Sequence, residues 1–274
     1  RCLYRTGNNP DHKEELYPGC AEDVGGGLKP DEQKPSAELC RVALHRMYRE
    51  ATMAGVPFQS FQTLNENNPV IAAYFVIQDN VKKKSVLQWA KAYQRALPYS
   101  SLSIANQNCH LDSYIEWLGC QYYHYRTECI KYEKQRGDTL ASAGASAGFA
   151  GLTNEAKDLA GQYANELSIL KKNWGWLDDV KDAAIRMRNS MEQNSADRRL
   201  YILPEVYEPA LWRAKLFLSY FHAANLGKPQ PLPIDTAPPE MYAWFVHDLQ
   251  TVERGAGISQ DFFVIRSMEM PEDE

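Results

Sequence analysis

The chain has 274 residues, a net charge of -5 and 24% charged residues. This length suits one large domain or two small ones, and the composition is that of a folded protein rather than a disordered one. The acidic balance argues against a nucleic-acid-binding protein, which needs a clustered basic face. The densest basic run, Lys82-Lys83-Lys84, is expected to be a solvated helix face. The longest apolar run, Val70 to Ile77, is far shorter than the ~20 residues of a membrane-spanning helix.

The first forty residues hold half of the cysteines, and residues 1–35 are predicted to form an irregular arm. This arm combines Gly25-Gly26-Gly27 with several prolines and many charges, so it buries little surface by itself. Cysteine bridges are its expected means of attachment to the region 36–136, a disulfide-stapled set of helices. A first helix is predicted to open at Ser36 and to stop at Gly55.

Six cysteines form an even set, as a disulfide framework requires, and no CxxC motif points to a zinc or redox site. Disulfides indicate an oxidising compartment outside the cytosol: the periplasm, the extracellular space or the mitochondrial intermembrane space. The absence of an Asn-x-Ser/Thr sequon favours the periplasm or the intermembrane space. Six unpaired core thiols in a cytosolic protein are the alternative. The cysteines are Cys2, Cys20, Cys40, Cys109, Cys120 and Cys129.

The stretch from Cys109 to Arg136 carries the strongest helical pattern. One apolar stripe recurs every three or four residues along it; its members are Leu111, Ile115, Leu118, Tyr122, Tyr125, Cys129 and Tyr132. In a continuous helix Cys109 and Cys120 are ~16 Å apart along the axis, and a bridge needs Cα atoms within about 7 Å. Cys109–Cys120 and Cys120–Cys129 pairs are therefore excluded. Cys40 also lies on a predicted helix, so one bridge is expected to join two helices.

A repeat of small residues, Ala141-Ser142-Ala143-Gly144 and then 145–148, predicts a linker over residues 137–152. The alternative is a small-residue helix face over 140–152 that packs closely or contacts a membrane, because Gly144 and Gly148 are four residues apart. This alternative is the basis for a peripheral membrane protein as a third functional hypothesis.

Residues 153–274 are predicted to form a second helical region. Its first two helices form a hairpin or one helix bent near Gly175. The run Phe262 to Met268 is predicted to be a strand, which needs a pairing partner in this chain or in another. The expected fold is mainly α: an irregular helical bundle with long Pro/Gly-rich arms and at most one or two short strands near the C-terminus.

Motifs with a known mechanism are missing from the sequence: it contains no Walker loop, GxGxxG, HExxH or GxSxG. No catalytic, cofactor or metal residues are therefore assigned, and the densest polar constellation is interpreted as solvated i,i+4 pairs. A helical hydrolase built on carboxylates such as Glu116 and Glu128 is the second hypothesis, and it needs a second acid across a cleft. The constellation consists of His110, Asp112, Glu116, His124 and Glu128.

A second histidine cluster, His222, His247 and Asp248, is less suggestive of chemistry. His222 lies beside a Phe-rich stripe and is expected to be a packed core imidazole. The Asp178-Asp179 pair lies near the start of a predicted helix, where it meets the helix dipole favourably.

Tyrosine and tryptophan are abundant, with sixteen and six copies. Both tolerate half-buried positions and anchor interfaces, so five of them are candidate partner-binding residues. The leading hypothesis is a non-enzymatic extracytoplasmic protein that binds other protein subunits, as an accessory subunit of a larger assembly or as an inhibitor. The five candidates are Tyr122, Tyr123, Tyr125, Trp174 and Trp176.

Overall fold

The computed structural model describes residues 17–19, 21–29, 34–97, 104–142, 153–193, 204–232, 237–247 and 260–263. Within these ranges the fold is mainly α, as predicted, with one two-stranded antiparallel sheet. The helices are α1 (Ala21–Gly25), α2 (Leu39–Met53), α3 (Phe61–Asn67), α4 (Pro69–Ala73), α5 (Val86–Ala96), α6 (Ile104–Ser142), α7 (Asn154–Trp174), α8 (Trp176–Gln193), α9 (Pro204–Asn225) and α10 (Pro239–Trp244). The strands are β1 (Asn80–Val81) and β2 (Lys84–Ser85), and Gln260–Phe263 forms a 3-10 helix.

The described residues divide into two compact units, and the boundary falls inside α6. The first unit contains the residues up to Ser113 together with 237–247. The second contains the residues from Tyr114 to 232 together with 260–263. Since α6 continues to Ser142, residues 137–142 of the predicted linker are helical, and 143–152 lie outside the described residues.

Side-chain caps mark the starts of α3 and α4 in the first unit. Ser60 begins α3 by accepting a hydrogen bond from the Thr63 amide at 3.1 Å. Asn68 begins α4 in the same way, and Pro69 follows at the first helical position. Gly55 lies just beyond α2 with φ of +88°, a left-handed conformation in which glycine costs little. The predicted stop at Gly55 is confirmed.

The basic run Lys82-Lys83-Lys84 does not lie on a helix. Lys82 and Lys83 form the two-residue turn between β1 and β2, with φ of 49° and 64°. Two positive φ values are typical of the turn that matches strand twist in short hairpins. All three lysines are exposed, so the prediction of a helix was wrong although the prediction of solvation was right.

The longest helix, α6, has 39 residues and buries the predicted stripe. Ile115, Leu118 and Tyr122 are at most 1% exposed, and Tyr125 and Cys129 are also buried. The helix is continuous, which is the condition on which the exclusion of Cys109–Cys120 and Cys120–Cys129 pairs depends.

The passage from α7 to α8 is a bend rather than a reversal. Gly175 has right-handed helical angles, φ −61° and ψ −24°, and its amide donates to the Lys171 carbonyl at 2.8 Å. A Cβ at this position would collide with that same carbonyl oxygen. Of the two predicted arrangements, the helix bent at Gly175 is the one observed.

The core of the second unit lies where α8 and α9 pack against each other and against the 3-10 helix. Small side chains, including Ala183 and Ala214, are fully buried there and allow close approach of the helices. Arg213 is also fully buried and donates from Nη1 to the Phe263 carbonyl at 2.9 Å. The hydrogen bond of the buried Arg213 side chain thus joins α9 to the 3-10 helix.

The predicted C-terminal strand is wrong where it can be checked. Phe262 and Phe263 belong to the 3-10 helix, and residues 264–268 lie outside the described residues. The sheet is instead the hairpin of β1 and β2, closed by a turn that lacks glycine and was therefore missed.

Candidate functional site

The cysteines that the structure describes occupy separate environments. Cys40, Cys109, Cys120 and Cys129 are free thiols, so the predicted bridge between Cys40 and α6 is not formed. The Cys40 thiol donates to the Ala37 carbonyl at 3.5 Å, and Cys120 lies beside Tyr220. Burial raises the pKa of Cys40, Cys120 and Cys129, which disfavours the reactive thiolate. Cys2 and Cys20 lie outside the described residues.

Two of the five candidate partner-binding aromatics belong to the core. Tyr122 and Tyr125 are 1% and 5% exposed and donate to the two carboxylate oxygens of Asp178 at 2.9 and 3.0 Å. Burial raises the pKa of both phenols, and the neighbouring Asp178 raises it further, so both remain neutral donors. Asp178 lies in the first turn of α8 as predicted, where it also joins that helix to α6.

The other three candidates are only partly enclosed. Tyr123 is half-buried and donates to the Lys228 carbonyl at 2.8 Å. Trp174 and Trp176 are half-buried on either side of the bend at Gly175.

The polar constellation of α6 does not converge on one point. Glu116 is 4% exposed beside Tyr220, whereas His124 is exposed and Glu128 forms an ion pair with Lys131 at 2.8 Å. Glu116 and Glu128 are twelve residues apart on one helix, which separates them by about 18 Å. Paired glycosidase carboxylates lie about 5 to 9.5 Å apart. This pair therefore lacks the spacing that the hydrolase hypothesis requires.

His110, the remaining histidine of that constellation, belongs to a tyrosine network in the first unit. Its Nδ1 is 2.8 Å from the Tyr93 hydroxyl. The Tyr242 hydroxyl lies 3.4 Å from the Tyr93 hydroxyl and donates to Ser113 at 2.9 Å. Tyr93, Tyr242 and Ser113 are buried, so the network satisfies polar groups inside the core.

His247 has a buried partner that the sequence did not suggest. Its Nδ1 lies 2.6 Å from Asp23 Oδ1, and its backbone amide donates to Asp23 Oδ2 at 2.9 Å. Both side chains are completely inaccessible to solvent. Nδ1 also faces the Phe245 carbonyl at 3.1 Å, which can only accept, so Nδ1 carries the proton. Nε2 is buried with no hydrogen-bond partner among the described residues.

This geometry orients an imidazole as in a general base, but both members are sealed from solvent, so the pair fastens α1 to the segment after α10. The other predicted member, Asp248, lies outside the described residues. His222, expected in the core, is exposed in the last turn of α9. Within the part of the chain that the structure describes, no three His, Cys, Asp or Glu side chains converge as metal ligands.

The largest concentration of exposed apolar side chains lies on α2, α3, α4 and the loop between α2 and α3. Eight of the fifteen large apolar side chains found exposed among the described residues fall between positions 47 and 74. We name these eight the apolar surface: Met47, Met53, Val56, Phe58, Phe61, Val70, Ile71 and Tyr74. Met47 lies at helical spacing from the buried Val42 and Ala43 of α2, which predicts burial, yet it is 69% exposed.

Charge is sparse in the loop after α2 and in α3 and α4, although Arg49 and Glu50 lie beside Met47 and Met53 at the end of α2. Between positions 51 and 78 the single charged side chain is Glu66, in a protein with 24% charged residues. Depletion of charge with retention of aromatics is the compositional mark of an interface core. The low charge of positions 51–78 was the sequence feature that could have indicated this surface, but it corresponds to no short motif.

One face of α2, together with Glu38 just before it, forms hydrogen bonds to the backbone of the segment that carries the apolar surface. Glu38, immediately before α2, accepts hydrogen bonds from the amides of Gln78 and Asp79 at 2.8 to 3.1 Å. Arg41, His45 and Tyr48 lie three or four residues apart, as a single helix face requires. They donate to the carbonyls of Val76, Phe75 and Gln59, with His45 Nε2 2.6 Å from its acceptor.

Aromatic contacts also hold the residues of the apolar surface in place. Tyr48 stacks on Phe58 with ring centroids 5.0 Å apart and an interplanar angle of 10°. Phe75 is buried and receives Tyr48 and Phe61 edge-on at 5.1 and 5.9 Å. The exposed rings of Phe58 and Phe61 are therefore held in place by packing against Tyr48 and Phe75.

Comparisons with known proteins do not identify this chain. No protein-family model matches it, and neither curated proteins nor solved structures show significant similarity to it. None of the described helices combines the length and apolarity needed to cross a membrane. The exposure and composition of the apolar surface are therefore the main indications of function.

Proposed function

We propose that this protein is a non-enzymatic helical subunit that acts by binding protein through the apolar surface. The observation that carries the proposal is the occurrence of eight exposed large apolar side chains between positions 47 and 74, together with the single charged residue, Glu66, between positions 51 and 78. Exposed apolar area of this kind is uncommon on soluble monomers and usually belongs to an interaction site. The half-buried Tyr123, Trp174 and Trp176 are no longer the leading anchors.

The hydrogen bonds and aromatic contacts that hold the apolar surface in place support the same proposal. Side chains that are already ordered lose less conformational entropy on binding, so more of the contact energy remains as affinity. The hydrogen bonds from Arg41, His45 and Tyr48 fix the backbone that carries Phe58 and Tyr74. A neutral, apolar and preordered face suits a lasting subunit contact better than a transient one, because lasting interfaces are the more hydrophobic class. We therefore favour an assembly subunit over an inhibitor.

A membrane role is the weaker alternative for this surface. Peripheral binding to an anionic bilayer draws on clustered Lys and Arg. Arg46, next to Met47, is paired with Glu50 at 2.9 Å. Arg49 is a further basic residue on α2 near Met47, and positions 51–78 contain none, so the basic residues here are too few for the cluster that such binding draws on. Residues 143–152, the other candidate for membrane contact, lie outside the described residues.

Site-specific photo-crosslinking tests the proposal. A photoreactive residue replaces Val70, which is 71% exposed, and in a control protein it replaces Leu232, which is 88% exposed outside the apolar surface. In an extract of the native source, position 70 should form a protein adduct that Met53→Asp abolishes and Leu226→Asp preserves. Equal adducts from positions 70 and 232, indifference to Met53→Asp, or adducts with lipid alone would overturn it.

We also propose an extracytoplasmic location, supported by the even cysteine count and the missing CxxC motif. Since four cysteines are free thiols, this proposal depends on Cys2 and Cys20. The test is the intact mass of denatured protein, alkylated before reduction. Four alkyl groups and a loss of two hydrogens would support a Cys2–Cys20 bridge, whereas six alkyl groups would overturn the proposal.

A further inference from the structure

The free thiol of Cys120 belongs to a cluster of polar side chains inside the second unit. Glu116 lies one helical turn before Cys120 on the same face of α6 and is 4% exposed. The ring of Tyr220, on α9, packs against Gly119 between them, where a Cβ would lie 2.5 Å from its Cδ2. The fourth member, Gln230, follows the end of α9. We name Glu116, Cys120, Tyr220 and Gln230 the Cys120 cluster.

A hydrogen bond between α6 and the segment after α9 brings Gln230 to Cys120. The Tyr123 hydroxyl donates to the Lys228 carbonyl at 2.8 Å, and Tyr123 lies on α6 only three residues after Cys120. Gln230 is two residues beyond Lys228. Burial raises the pKa of the Cys120 thiol, and a hydrogen bond from the Gln230 side chain partly offsets this effect. The half-buried thiol and carboxamide therefore lie next to each other, with the thiol protonated at rest.

The Tyr220 hydroxyl lies beside the thiol without a hydrogen bond of good geometry. The side chain is fully buried, and its hydroxyl has no hydrogen-bond partner among the described residues. Burial raises the pKa of the phenol, and the neighbouring Cys120 and Glu116 raise it further, so it stays a neutral donor. A buried donor that waits for an acceptor suits a site where negative charge develops on oxygen during a reaction.

We propose that Cys120 and Gln230 form an internal thioester that captures a primary amine covalently. Glu116 accepts the thiol proton, and Cys120 Sγ attacks Cδ of the Gln230 carboxamide. The Tyr220 hydroxyl donates to the oxyanion of the tetrahedral intermediate. The C–N bond then breaks, the nitrogen takes the proton back from Glu116, and ammonia leaves. The step needs no oxidant and no second reactant, because both reacting groups are held together by the fold.

The thioester is an electrophile that each molecule uses once. A primary amine attacks its carbonyl carbon, the C–S bond breaks, and Cys120 recovers its thiol while the amine remains joined to the Gln230 side chain by an amide bond. Partial burial of both residues restricts access of water to the thioester. This covalent capture goes beyond the proposed function and does not depend on the apolar surface.

Intact-mass spectrometry of the purified full-length chain, reduced with a phosphine that spares thioesters, tests the inference. The wild type should be lighter than its sequence mass by one molecule of ammonia. Cys120→Ala and Gln230→Ala should each abolish this difference, whereas Cys109→Ala on the same helix should keep it. Methylamine added to the native protein should then be incorporated once, and tandem mass spectrometry should locate it on Gln230. Circular dichroism verifies that each variant is folded.

Tyr220→Phe separates the chemistry from the packing, because it keeps the buried ring. This variant should fold like the wild type but lose ammonia about 100-fold more slowly after refolding from denaturant. A full sequence mass without methylamine on Gln230 overturns the inference, and so does a loss of ammonia that survives Cys120→Ala. Neither result affects the crosslinking from position 70, so the proposed function stands or falls separately. Because methylamine restores the Cys120 thiol, the alkylation that tests the Cys2–Cys20 bridge is performed on methylamine-treated protein.

Discussion

Asp23 Oδ1 and His247 Nδ1 lie 2.6 Å apart, although 224 residues separate them in the chain. The same carboxylate accepts the His247 backbone amide through its other oxygen. Because both side chains are completely buried, this pair closes the first unit by joining α1, near one end of the chain, to the segment after α10. Gly19 permits the arrangement, since a Cβ at its φ of +107° would collide with Asp23.

Removal of the Asp23 carboxylate should be strongly destabilising. Asp23→Ala leaves the His247 amide buried without a partner and leaves Nδ1 with only the Phe245 carbonyl. Breaking a buried pair of this kind costs about 3–5 kcal/mol. Urea unfolding measures the loss. The control is Glu22→Ala on the next residue, which is half-buried and should cost less than about 1 kcal/mol. Equal losses from the two variants would show that the pair has no special role.

The contact between α6 and α9 depends on a missing side chain at Gly119. A Cβ there would lie 2.5 Å from Cδ2 of Tyr220, and the fully buried ring has no room to withdraw. Gly119→Ala should therefore destabilise the protein by about 1–3 kcal/mol. Gly137→Ala on the same helix meets nothing within 4 Å and should stabilise by about 0.5–1 kcal/mol. Thermal unfolding of both variants should give shifts of opposite sign.

The hairpin turn makes the effect of a lysine-to-glycine change depend on position. Lys83 has φ of 64°, and a side chain in this region costs roughly 1–2 kcal/mol. Lys83→Gly should remove that strain and raise stability by up to about 1 kcal/mol after the loss of chain entropy. Lys91→Gly, at an exposed position inside α5, should instead lower stability by about 1 kcal/mol. Chemical denaturation distinguishes the two, and a loss at both sites would contradict the strained turn.

The pair of Lys82 Nζ and Glu240 Oε1, 2.6 Å apart, predicts a specific pH dependence. Partial burial is the largest single effect and opposes ionisation of Glu240. The hydrogen bonds from Lys82 and from the Glu240 backbone, together with the charges of Lys82 and Lys84, outweigh it, so the pKa of Glu240 is lowered. A carboxylate with a lowered pKa stabilises the fold above its unfolded pKa of about 4.3, and this contribution disappears as the pH falls through the folded value.

Glu240→Gln should therefore be less stable than the wild type at neutral pH by at most about 1 kcal/mol, because Lys82 is largely solvated. The difference should shrink as the pH falls below about 4.3 and vanish below the lowered pKa of the folded state. Unfolding free energies across this range provide the measurement, with Lys82→Met as the control that removes the same pair. A difference that is independent of pH would contradict an ionic contribution.

The sequence by itself determined those features that arise from neighbours along the chain. Gly55 and Gly227 end helices because each takes a positive φ, and Pro69 begins one because it needs no amide partner there. The stripe of α6 was readable because a helix of 39 residues repeats its apolar spacing many times. These signals indicated a mainly α fold and a few of the helix ends, such as the stop at Gly55.

Only the tertiary structure decided which faces meet and which stay open. Periodicity marks a helix face as apolar but does not show what covers that face. Tyr122 was therefore a candidate for partner binding, yet it is buried. Met47 has the spacing of a buried residue, yet it is exposed. The pairing of Asp23 with His247 joins distant segments, and no spacing rule relates residues so far apart. The apolar surface was likewise hidden, because exposure is a property of the packed chain and not of any local pattern.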